Sequence, residues 1–173
     1  MKTREAHGFT LIELLIVVAI ISIIAAIAVP GLLRARMTGN ETSAIASLKV
    51  TTSSQVAYTA SCGNGGYAAS YAVLGTPPPA TTEAFISQDL GGSATPNKSG
   101  YAFTLGAGAG SVAGPADCNT TATITAWLAT AKPNTFGTTG TRSFAVNAGN
   151  TIWQNNTATP PTEPFGAPAT PIQ

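Results

Sequence analysis

Residues 14–33, LLIVVAIISIIAAIAVPGLL, run for twenty positions without a charged side chain. As a helix rising 1.5 Å per residue, that stretch spans about 30 Å, the hydrocarbon thickness of a bilayer. A soluble protein could hide a helix apolar on every side only inside a large core. A chain of 173 residues has too little other material to build one. The segment reads as a membrane span.

Composition narrows the choice further. Only 9% of residues are charged, against roughly 25% in an average soluble domain. The formal net charge is +1, which excludes a strongly basic nucleic-acid surface. With 44% hydrophobic residues the chain is not compositionally disordered. Its single histidine is His7, and it has neither a Gly-x-Ser-x-Gly sequence nor a metal-ligand cluster. Two cysteines cannot make a four-thiolate zinc site. We expect no enzyme and no bound cofactor.

The flanks of the span carry more information than the span. Before it stands MKTREAHG, with Lys2, Arg4, Glu5 and His7; its positive balance keeps this end cytoplasmic. Beyond it, Arg34 and Arg36 mark the exit from the bilayer. A secretory signal would share the basic start and would be cut at small residues, here after Ala28 in Ala26-Ile27-Ala28. The apolar run is longer than such signals use, and Glu13 stands at its mouth. A carboxylate there is expensive in lipid, so it either sits in the interface or finds a partner.

The sequence Gly8-Phe9-Thr10-Leu11-Ile12-Glu13, followed by the apolar run to Val29-Pro30, resembles the N-terminal segment of type IV prepilins and of type II secretion pseudopilins. The resemblance implies that a membrane prepilin peptidase cuts between Gly8 and Phe9 and then methylates the amino group of Phe9. It also implies an inner-membrane assembly platform and a homopolymer, with the head on the extracytoplasmic side. Cutting ahead of the apolar segment leaves the segment attached, and it frees an α-amino group one helical turn from Glu13. That amine can neutralise Glu13 within one helix or between neighbouring subunits. The resemblance implies the second arrangement, which sets the axial register of a filament.

Three further features fit bundled helices. Ala19, Ser22, Ala25, Ala26 and Ala28 allow close helix approach. Pro30 removes a hydrogen bond to the Ala26 carbonyl and is expected to kink or open the helix. Many pilins have glycine where this chain has Ser22, and Gly31 and Gly39 lie on the far side of the proline.

The expected fold is α+β: one long helix packed on a small antiparallel sheet with long loops. We divide the chain into a leader at 1–8, a transmembrane or polymerisation helix at 9–33, its amphipathic continuation at 34–61, and a head at 62–173. A stripe of Met37, Ile45, Leu48, Thr52 and Val56 faces the head, with Glu41, Ser43, Ser47, Lys49 and Gln55 on other faces. Cys62-Gly63-Asn64-Gly65-Gly66 ends the helix.

In the head, residues 82–90 are expected to form a short helix capped by Thr81 or Thr82. Strands are expected at 101–105, 121–128, 142–146 and 151–154, the last two joined through Asn147-Ala148-Gly149-Asn150. Alternation in Ala122, Ile124, Ala126 and Leu128 would turn those side chains toward the helix. Residues 106–110 read as a flexible glycine loop, and the proline-rich tail from Thr159 as extended and exposed.

On the oxidising side of the membrane Cys62 and Cys118 are expected to pair, tying the helix end to a loop before the strand at 121; two buried free thiols are the alternative. Asp89, Asp117 and Asn119 suggest calcium only weakly, since a cage of six to eight oxygens is required; turn residues are the expectation. Asn97-Lys98-Ser99 and Asn119-Thr120-Thr121 match glycosylation acceptors. The functional expectation is a pilus subunit. A major pseudopilin and a minor, filament-initiating subunit are the alternatives.

Overall fold

The computed structural model describes residues 8–79 and 81–172. The chain divides into two compact units, Met1–Arg36 and Met37–Gln173. The first helix, α1 (Leu11–Ser61), contributes to both.

In the first unit every described residue is exposed, including Leu14, Ile16, Ile20, Ile24 and Ile27. No soluble core covers this apolar face. The helix is uninterrupted through Pro30, and Ser22 returns its hydroxyl to the Val18 carbonyl at 2.7 Å.

In the second unit the α1 residues pack on a six-stranded antiparallel sheet. After α1 come α2 (Tyr71–Leu74), α3 (Gln88–Gly91), β1 (Asn97–Lys98), β2 (Tyr101–Ala107), β3 (Ala113–Ala116), β4 (Ala122–Ile124) and β5 (Trp127–Pro133). Then come β6 (Ser143–Asn147), β7 (Trp153–Asn155) and β8 (Thr170–Pro171). The sheet order is β1-β2-β5-β6-β7-β8, and β3 with β4 makes a separate ribbon. The core joins Ala44, Leu48 and Tyr58 of α1 to Phe103, Leu105, Trp127 and Phe144 of the sheet. Tyr71 meets Phe103 edge-on at 6.3 Å, and Tyr58 meets Phe85 likewise at 5.3 Å. The expected α+β architecture is present, one long helix on an antiparallel sheet.

The details correct several expectations. The buried face of α1 is Glu41, Ala44, Ser47, Leu48, Thr51, Ser54, Gln55 and Tyr58. Glu41, Ser47 and Gln55 are therefore inside, while Val56 is 58% exposed. The reason for Glu41, Thr51, Ser54 and Gln55 is hydrogen bonding: each finds a partner on the head that offsets its desolvation. Gln55 exchanges two bonds with the Ala68 backbone, both at 2.9 Å. Ser54 donates to the Phe85 carbonyl, and Thr51 bonds the Tyr71 hydroxyl.

The strand expected at 121–128 is two strands in different sheets, β4 and β5. Its buried side chains are Thr123, Trp127, Ala129 and Ala131, the opposite parity from the one expected. Trp127 fixes that choice, because its ring is the largest apolar surface in the segment and must be covered.

The short helix is confined to Gln88–Gly91 after Ser87, so neither Thr81 nor Thr82 caps it. The helix α2 was not expected; Ser70 precedes it and accepts from the Val73 N–H. Gly106 belongs to β2, leaving only 108–110 of the expected glycine loop as a turn. The tail is not simply exposed: Pro161 and Ala169 are buried, β8 pairs with β7, and Phe165 stacks on Trp153 at 5.4 Å. The 147–150 hairpin forms, with Asn150 in the left-handed region at φ 60°.

Where α2 and α3 end, Gly75 and Gly91 pass backbone to backbone. A Cβ on Gly75 would strike the carbonyl of Gly91, which cannot swing aside as a side chain can. Gly75→Ala should lower stability by about 2 kcal/mol. Thermal unfolding of the full chain in detergent micelles reads this directly; an unchanged midpoint would show that the two helices separate freely.

Candidate processing and assembly segment

The helix does not begin at the residues on which cleavage is expected. Gly8 and Phe9 precede it in non-helical conformation, and Phe9 is 80% exposed. Thr10 is the capping residue and Glu13 the third residue of the first turn. The Glu13 backbone N–H donates to the Thr10 hydroxyl oxygen at 3.3 Å. In return, the Thr10 N–H and hydroxyl both donate to Oε2 of Glu13, at 3.0 and 2.7 Å. This reciprocal arrangement satisfies two donors that a helix start otherwise leaves open. The carboxylate also faces the positive end of the helix dipole.

The arrangement has two consequences. It fixes the helix start at Leu11, which leaves the Gly8-Phe9 bond outside the helix. It also holds Glu13 by one oxygen, while none of the described residues donates to Oε1. The sequence puts the Thr10 hydroxyl at the helix start with its role undetermined; Thr-x-x-Glu before an apolar run is the signature of this cap. Gly8, Phe9 and Glu13 thus lie together. Pro30 lies farther along the same helix, and the cysteines belong to the second unit.

In that second unit Cys62 and Cys118 form a disulfide across a sequence separation of 56. Next to it, Asp117 is buried and fully engaged: Oδ2 accepts from the Tyr58 hydroxyl at 2.6 Å, and Oδ1 from the amides of Asn119 and Thr121. Burial first, then this carboxylate, pushes the Tyr58 phenol well above its ordinary value. The Asn119 side chain donates to the Pro77 carbonyl, and Asp89 pairs with Lys98 at 2.7 Å and with Ser87. The oxygens considered for calcium therefore serve turns and an ion pair. Among the described residues no three His, Cys, Asp or Glu side chains gather into a metal site.

A second group was not singled out from sequence. Glu41 of α1 accepts from the Thr141 N–H (2.8 Å) and hydroxyl (3.0 Å), and from Arg142 at Nε (2.8 Å) and the terminal guanidinium nitrogen (2.7 Å). Arg142 also donates to Gln154 and lies 5.5 Å over the Phe144 ring. Asn40 adds a bond to the Thr139 carbonyl. Burial pushes the Glu41 carboxyl up, but the donors from Thr141 and Arg142 outweigh it and hold the group below its ordinary value of 4.5. A lone glutamate on a helix gives no sequence signal for a partner 100 residues away.

The segment thus presents a capped start directly ahead of a charge-free helix. Comparison with known proteins finds similar segments. Residues 3–29 match the prokaryotic N-terminal methylation motif. Over 39 residues the chain is 64% identical to the type IV wide pilus major component of Thermus thermophilus, a match covering 22% of this chain and 30% of that protein's length. Over this segment the chain is similar to type IV pilins. No solved structure matches the chain.

Proposed function

We propose that this protein is the structural subunit of a type IV pilus. Cleavage falls between Gly8 and Phe9, Phe9 is N-methylated, and the segment from Phe9 to Leu33 becomes part of the filament core. The single observation that carries this reading is the helix of the first unit, apolar and fully exposed behind a capped Thr10–Glu13 start. Such a helix leaves lipid only when equally apolar surfaces receive it, and copies of itself provide them.

In this reading the precursor is held in the inner membrane with its N terminus cytoplasmic and its head extracytoplasmic. A prepilin peptidase processes it there, and an assembly platform delivers it to the growing filament. The freed amine of an incoming subunit neutralises Glu13 of an assembled one. The open Oε1 of Glu13 and its position at the helix start support that pairing. Pro30 is the place where the helix would soften under load, since the Ala26 carbonyl lacks its usual donor. The protein has a structural role and no catalytic one.

Processing can be tested at its first residue. Gly8→Val should block cleavage, so the membrane fraction accumulates a chain retaining residues 1–8 and surface filaments are lost. Filaments built normally from this variant would contradict the assigned cleavage position.

A further inference from the structure

The charged groups of the second unit are few, and nearly all the carboxylates are already engaged. Glu41 is held by Arg142, Asp89 by Lys98, Asp117 by Tyr58 and two amides, and Glu163 by the Ala109 amide and Asn147. Glu83 differs. It is exposed, and among the described residues nothing donates to its carboxylate. Two lysines of the unit, Lys49 and Lys132, are likewise exposed and without a partner among the described residues.

Glu83 and Lys49 each stand in a groove flanking the open face of α1. One groove, of about 480 Å³, is lined by Val50 and residues 82–88, so its charge is the Glu83 carboxylate. The other, of about 270 Å³, has Ile45, Ile152 and Ile172 around Lys49 and is cationic. On the same helix Val50 and Val56 are 45% and 58% exposed, in a unit with few other large exposed apolar side chains. Lys132 stands elsewhere, in a groove walled by threonines and the Pro160-Pro161 segment.

We infer that these two grooves are the two halves of a contact between copies of this chain, with Lys49 of one subunit paired to Glu83 of the next. Charge decides which groove meets which. Setting either groove on its own copy would oppose two carboxylates or two ammonium groups. Setting the cationic groove against the anionic one pairs them and covers Val50. Made head to tail, with a rotation that does not close, this contact propagates from subunit to subunit as a filament needs. The inference rests on the filament reading and adds the surface through which neighbouring heads recognise each other.

The test is zero-length carbodiimide crosslinking of sheared filaments, with detergent-solubilised monomer as control. A covalent dimer whose crosslinked peptide joins Lys49 to Glu83, absent from the monomer, is expected. A link from Glu83 to Lys132, the same link in the monomer, or no link at Glu83 would overturn the inference while leaving the filament intact. Failure of the chain to form filaments at all would instead refute the pilus reading. A charge-exchange series gives the second readout. Lys49→Glu and Glu83→Lys should each lower filament yield by about tenfold, since each opposes like charges, and the double exchange should restore it. Single variants that assemble at full yield would contradict the pairing.

Discussion

Removing the disulfide by Cys62→Ser with Cys118→Ser should lower the stability of the Met37–Gln173 unit by about 4 kcal/mol, the chain-entropy value for a loop of this length. The location makes the loss larger than a surface crosslink would show. Cys62 is the first residue after α1 and is buried, and its carbonyl accepts the Cys118 N–H at 2.8 Å. The bridge therefore holds the end of the helix against the loop that carries Asp117, whose carboxylate is bonded to Tyr58 one turn back on α1. Thermal unfolding of the full chain in detergent, oxidised and reduced, measures the effect. A reduced protein melting within a degree or two of the oxidised one would mean that the Tyr58–Asp117 contact alone suffices.

At the other end of the same helical segment, Glu41→Ala should lower stability by about 3 kcal/mol, because it leaves a half-buried guanidinium without its anion. Gln154 and the Phe144 ring remain as partners of Arg142 and keep the loss from being larger. Glu41→Gln should be milder, since its amide oxygen can still accept from Thr141. The pH dependence follows from the direction of the Glu41 shift. Its carboxyl titrates lower in the folded protein than when unfolded, so the unfolded chain binds the proton first as pH falls. The contribution is complete above the ordinary value of 4.5 and is lost as the pH drops below it toward the depressed folded value. In Glu41→Ala this acid-side loss should shrink. An identical acid profile in wild type and variant would show that other carboxylates control it.

Legibility in the sequence divided along a physical line. The membrane-compatible helix, its end before Gly63, the 147–150 hairpin and the cysteine pair follow from local chemistry: a charge-free run, a glycine break, a turn sequence and an oxidising compartment. What escaped depended on partners distant in the chain. Glu41, Ser47, Thr51, Ser54 and Gln55 make much of the buried face of α1, and hydropathy alone marks such residues as exposed. For Glu41, Thr51, Ser54 and Gln55 the desolvation is offset by bonds to Thr141, Tyr71, Phe85 and Ala68, none of which a helical period reveals. The parity of residues 121–128 failed for a similar reason, since the strand breaks and Trp127 selects the buried side. At the N terminus the reverse held. Thr10 and Glu13 are three residues apart, so their cap is readable from local spacing, although the same glutamate also reads as a charge at the mouth of a lipid segment.

The claim that the whole account turns on is that the apolar helix survives processing and is built into a surface filament. Intact-mass and N-terminal peptide mass spectrometry of filaments sheared from cells tests it most directly. The account predicts a subunit beginning at Phe9, carrying one N-methyl group and retaining the entire charge-free segment. A soluble chain beginning at Val29 would contradict it, because the helix proposed as the filament core would then have been discarded.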